Sequence, residues 1–71
     1  MEDKAGFVQE LGELLAAHTA DRTGVKSLEY SVDPDGFEAV TIVFDNGYAR
    51  TTNVTGDSCI AIMRRVAKLL W

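Results

Sequence analysis

Asp33-Pro34-Asp35-Gly36 and Asp45-Asn46-Gly47-Tyr48 punctuate the middle of this 71-residue chain and divide it into three strand-length pieces. Pro at the first corner and Gly at the last position suit a type I turn followed by a left-handed residue, a hairpin closed by a G1 bulge. Asn-Gly between two β-rich runs is the strongest short hairpin signal, because both corner residues tolerate positive φ. A periodic helical segment flanks the strands on each side. The element order therefore reads α-β-β-β-α, an α+β fold: a three-stranded antiparallel meander with two helices packed on one face.

Outward from the turns, the strands are Val25–Val32, Phe37–Phe44 and Tyr48–Val54. A three-residue Pro34-Asp35-Gly36 loop pairs Tyr30 with Val40 and Leu28 with Ile42. A two-residue Asn46-Gly47 loop pairs Phe44 with Ala49, Ile42 with Thr51 and Val40 with Asn53. Both assignments place Leu28, Tyr30, Val40, Ile42, Phe44 and Ala49 on one face. Phe37, Ala39, Thr41, Val43, Tyr48, Arg50, Thr52 and Val54 then share the other.

The first helix is expected from Asp3 to Arg22, with Phe7, Leu11, Leu14, Leu15 and His18 in one apolar stripe and Val8 at its edge. Glu2 and Asp3 suit the positive end of its dipole, and Gly24 suits a left-handed C-terminal cap. Gly12 lies beside the stripe, where a missing side chain permits close approach of another backbone. The second helix starts at Gly56-Asp57-Ser58 with Asp57 as N-cap and runs nearly to Trp71. Cys59, Ile62, Met63, Val66 and Leu70 centre its apolar face, opposite Arg64, Arg65 and Lys68. The expected core is Leu11, Leu15, Tyr30, Val40, Ile42, Phe44, Met63, Val66 and Leu70.

The length bounds the chain to a single domain, residues 1–71, with one thin core. A composition 46% hydrophobic and 25% charged is that of a folded protein. The net charge of −4 disfavours non-specific nucleic-acid binding. Charge is uneven along the chain: residues 1–36 carry eight acids and three bases, residues 37–71 three acids and four bases. One cysteine excludes an intramolecular disulfide. With no signal-peptide pattern and no membrane-spanning apolar run, the expected setting is the cytoplasm, without membrane contact.

Chemistry-bearing residues are few. Cys59 near a helix N-terminus, with His18 as base, would be a nucleophilic pair. Both instead fall in the apolar stripes of their helices, which predicts a buried packing role for Cys59 and no catalytic site. One Cys and one His fall short of the four ligands of a structural zinc site, and the aspartates do not follow calcium-loop spacing, so no metal or cofactor is expected. Gly56-Asp57-Ser58 reads as a helix cap, since Asp57 would repel an anion.

The α-β-β-β-α order resembles that of the double-stranded-RNA-binding domain. That family binds through a lysine cluster opening its last helix and a histidine-bearing loop between its first two strands. This chain has Asp57-Ser58-Cys59-Ile60 and Asp33-Pro34-Asp35-Gly36 there, acidic or apolar where the family is basic, so the likeness is one of topology alone. Asn53-Val54-Thr55-Gly56-Asp57-Ser58 followed by an apolar-basic helix resembles the endings of small proteins carried on bacterial phages and conjugative elements, which implies no catalytic residue. The expected function is a non-enzymatic protein-interaction module, an accessory protein of a mobile element in that resemblance. It would bind a protein partner or itself through Phe37, Thr41, Val43, Tyr48, Arg50, Thr52 and Val54 on the open sheet face. Two alternatives stand beside it: nucleic-acid binding through Arg50, Arg64, Arg65 and Lys68, and an acidic inhibitor whose first helix mimics phosphate charge.

Overall fold

A computed structural model describes residues 3–71. Glu2, expected to complement the first helix dipole, lies outside them. Helix α1 (Lys4–Thr23) leads into strands β1 (Val25–Val32), β2 (Glu38–Phe44) and β3 (Ala49–Asn53), and helix α2 (Cys59–Leu70) follows. The strands form one antiparallel sheet in the order β1-β2-β3. The α-β-β-β-α expectation holds.

Local chemistry sets the element ends. The Asp3 side chain caps α1 by accepting from the Gly6 amide at 3.0 Å. Gly24, at φ 70°, ends the helix in the left-handed region, and its amide donates to the Ala20 carbonyl at 2.8 Å. The expected N-cap of α2 is corrected by one residue. Ser58, not Asp57, accepts from the Ala61 amide, at 3.2 Å. The Asp57 amide is tied back to the Val54 carbonyl across a turn containing Gly56 at φ 77°, so the chain enters the helix one position later.

The first hairpin has the expected register, with Tyr30 opposite Val40 and Leu28 opposite Ile42. Gly36 takes φ 87°, the Gly36 amide donates to the Asp33 carbonyl, and the Asp33 amide donates to the Phe37 carbonyl. The second hairpin differs by one residue. Ile42 faces Arg50 and Val40 faces Thr52. Only Gly47 has positive φ, at 90°; Asn46 does not, which excludes the two-residue type I′ loop. The Phe44 amide donates to the Tyr48 carbonyl and the Gly47 amide to the Phe44 carbonyl. Asp45-Asn46-Gly47 is thus a three-residue bulged turn built like Pro34-Asp35-Gly36.

One slipped residue turns all of β3 over. Val54, expected on the open face, enters the core at 1% exposure. The fully buried cluster comprises Val8, Val25, Leu28, Val40, Ile42, Val54, Ile62 and Val66, and it draws on both helices and one face of the sheet. Val25 joins because β1 is bulged between Val25 and Ser27, which brings Val25 and Leu28 to the same side.

Both helices are rotated from their expected stripes. On α1, Val8 and Gly12 face the sheet, and Leu14 and His18 are exposed. Gly12 explains the rotation: a Cβ there would lie 2.7 Å from the Leu28 backbone nitrogen, so α1 approaches β1 through its glycine face. On α2, Ile62 and Val66 are buried with Leu69 and Leu70 beside them, whereas Met63, expected in the core, is 39% exposed.

Candidate functional site

The open face of the sheet carries Ala39, Thr41 and Val43 on β2. Ser31, Glu29 and Ser27 stand opposite on β1, and Asn53, Thr51 and Ala49 on β3. These are small or polar residues, and the Thr41 and Thr51 hydroxyls bond to each other at 3.1 Å. Of the seven residues expected to form a contact surface here, Phe37, Thr41 and Val43 remain on this side. Arg50 and Thr52 stand opposite Ile42 and Val40, on the helix-bearing face. Tyr48 pairs with Phe44 at the turn and is exposed, and Val54 is buried. The apolar patch read from the sequence is therefore dispersed by the register of β3.

The more continuous apolar surface lies on α2. Ile60 is 60% exposed, Met63 39% and Trp71 63%. With Ala67 they recur at i, i+3, i+7 and i+11, one side of a helix whose other side is already in the core. Trp71 continues that line because its amide still donates to the Ala67 carbonyl at 2.9 Å. Arg64 and Lys68 are exposed alongside. Arg65 is held by Asp57, its Nε donating to the carboxylate at 3.1 Å, so the four-cation set expected for nucleic acid has one member engaged by an acid.

A polar cluster not anticipated from the sequence centres on Glu38. Its carboxylate accepts from Lys4 Nζ at 2.9 and 3.2 Å, from the Gly56 amide at 3.0 Å and from the Tyr30 hydroxyl. The Tyr30 bond foremost, then the Gly56 amide and Lys4, lower the Glu38 carboxyl to about 2. The same bond, with burial and the Glu38 charge, raises the Tyr30 hydroxyl to about 12. A neutral phenol and a charged carboxylate, each held further in its resting state, are poised for cohesion and not for proton transfer near neutral pH. The signal in the sequence is faint: an acid opening a strand, two residues before its first fully buried position.

His18 is exposed on α1 and Cys59, the first residue of α2, is half-buried, which corrects the deep burial expected for both. Among the described residues no three His, Cys, Asp or Glu side chains converge to hold a metal ion, and no helix is long and apolar enough to cross a membrane. Family models, curated proteins and solved structures yield no match to this chain.

Proposed function

We propose that this chain is a non-enzymatic protein-interaction module whose contact surface is the outer side of α2. The observation that carries this reading is the exposed line of Ile60, Met63 and Trp71 on a helix already anchored by Ile62 and Val66. Large apolar side chains at helical spacing, rimmed by charge, are how an amphipathic helix engages a groove or another helix. Aromatic residues and arginine are also the types that dominate binding energy at protein contacts. The open sheet face, now Ser, Thr, Ala, Asn and Glu29 around Val43, keeps one exposed aromatic, Phe37 at its edge, and no arginine. A reducing setting such as the cytoplasm suits the lone half-buried Cys59.

The test compares three baits: the wild-type chain, Ile60→Lys with Met63→Lys, and Val43→Glu. Any captured protein is then purified and titrated against each. A dissociation constant at least tenfold weaker for the helix variant, with Val43→Glu unchanged, supports the reading. Equal binding by all three baits, or no protein ligand at all, the chain itself included, overturns it.

A further inference from the structure

The two helices carry exposed stripes of opposite charge and equal length. On α1, Glu10, Leu14, Ala17 and Asp21 recur at i, i+4, i+7 and i+11, with Glu13 beside them, and all five are exposed. On α2, the line from Ile60 to Trp71 carries Arg64 and Lys68 at its flank. Each stripe spans twelve residues, about 16 Å of helix from end to end. Each combines a protruding apolar side chain, Leu14 at 57% exposure or Ile60 at 60%, with charges of one sign.

Those charges are not consumed among the described residues. The ion pairs among the described residues are Lys4–Glu38 and Arg65–Asp57. Glu10, Glu13 and Asp21 on one helix, and Arg64 and Lys68 on the other, have no ionic partner among the described residues.

From this complementarity we infer that the occupant of the α2 surface is a second copy of the chain, with α2 of each copy lying on α1 of its partner. The inference rests on the proposed role of α2 and names its partner. A two-fold axis makes the arrangement reciprocal: one α1–α2 contact implies the other, and the assembly closes as a dimer. Charge also selects this pairing over its competitors. Packing α1 on α1 sets acid against acid, and packing α2 on α2 sets base against base. Leu14 of one copy meets the Ile60–Met63 line of the other, removing from water the exposed apolar side chains of both helices.

Sedimentation of the wild-type chain and two charge-reversed variants tests the inference. The variants are Glu10→Lys with Glu13→Lys, and Arg64→Glu with Lys68→Glu. All four positions are exposed, so each variant is expected to fold, which circular dichroism and thermal melting check. The wild type is expected to form a concentration-dependent dimer whose dissociation constant weakens several-fold in roughly 0.5–1 M salt. Each variant alone is expected to be monomeric, because both of its contacts become like-charged. An equimolar mixture is expected to dimerise again, because in the mixed pair the lysine-bearing α1 of one variant meets the glutamate-bearing α2 of the other, and the acidic α1 of the second meets the Arg64–Lys68 α2 of the first, opposite signs at both contacts.

A wild type that stays monomeric over a hundredfold concentration range, variants that dimerise as the wild type does, or a mixture that stays monomeric each overturns the inference. A monomeric wild type that binds a different protein through Ile60 and Met63 overturns the second copy and leaves the role of α2 standing. Salt-sensitive retention on DNA or RNA, lost with Arg64→Glu and Lys68→Glu in a monomeric chain, assigns the basic stripe to nucleic acid and overturns both.

Discussion

Gly12 and Leu28 meet backbone to backbone: a Cβ added at Gly12 would stand 2.7 Å from the Leu28 nitrogen and 3.1 Å from its Cβ. At this point α1 lies too close to β1 for any side chain, and Val8, one turn earlier on the same face, is buried in the core. Gly12→Ala gains about 1 kcal/mol of helix propensity. It also forces α1 off a strand that cannot yield, an overpacking cost of about 1–3 kcal/mol or more at a rigid contact. Urea denaturation is expected to show a net loss. Gly6→Ala is the comparison: its Cβ would meet only the Asp3 side chain, which can turn aside at the cost of its cap on the Gly6 amide, about 1 kcal/mol, against a similar gain in helix propensity, so a net change near zero is expected. A net gain for Gly12→Ala would mean that the helix and strand are not in close contact.

The register of β3 is open to a direct test. Val54→Ala removes two methyl groups from a fully buried site, and the loss is expected at about 1.5–3 kcal/mol. Tyr48→Ala, at an exposed site, is expected within about 0.5 kcal/mol of wild type. Ile42→Ala, central in the same core, is expected to cost about 2–5 kcal/mol. A Val54→Ala loss within about 0.5 kcal/mol of wild type would restore the two-residue loop, which puts Val54 on the open face.

The second turn gives an independent check on the same point. Gly47 alone occupies the left-handed region. Gly47→Ala is expected to cost about 1–2 kcal/mol. Asn46→Ala removes a side-chain acceptor for the Tyr48 amide but needs no positive φ, so a smaller loss is expected. Equal losses at the two positions would point to a type I′ turn, where both residues must be left-handed.

Tyr30 and Glu38 predict how stability varies with pH at both extremes. The Glu38 carboxyl is lowered from 4.5 to about 2, so the unfolded chain binds the extra proton between those values. Its contribution is complete above 4.5 and is lost as pH falls toward 2. The Tyr30 hydroxyl is raised from 10 to about 12, so the folded chain holds its proton longer. That contribution is complete below 10 and is lost as pH rises toward 12. Chemical denaturation across pH is expected to show both declines, and Tyr30→Phe to remove the alkaline one and reduce the acid one. An unchanged alkaline profile in Tyr30→Phe would mean that the phenol does not donate to Glu38.

The order of elements and the first hairpin were legible in the sequence because Pro34 fixes φ at one corner and Gly36 frees it at the other. That combination admits one loop length with Leu28 inside. Asp45-Asn46-Gly47 fits two loop lengths equally well on local chemistry, and the choice between them rests on whether Val54 or the set Ala49, Thr51 and Asn53 faces the helices. That is a question of how far α2 covers β3, which no short-range signal contains. The helix rotations were hidden for a related reason. Counting apolar residues favoured Leu14 and His18, whereas contact with β1 is set by Gly12, a residue invisible to hydropathy. The expected contact surface inherited both errors: Tyr48, Arg50, Thr52 and Val54 left the open face, and Met63 emerged from the core to join Ile60 and Trp71. Of the polar cluster only the acid opening β2 left a trace in the sequence, since its partners are 8, 18 and 34 positions from Glu38.

Those separations give the Glu38 carboxylate a kinetic character. Its bonds to Lys4, Tyr30 and Gly56 join the start of the first helix, the first strand and the turn before the last helix, so they close only when nearly the whole chain has arrived. Interactions completed after the transition state govern how fast the native state is left and hardly affect how fast it is reached. Glu38→Gln keeps the shape of the side chain and discards its charge. Stopped-flow measurements are expected to show several-fold faster unfolding beside a nearly unchanged folding rate. In a molecule with so small a core, one carboxylate then acts as a latch, setting the lifetime of the folded chain more than the ease of its assembly.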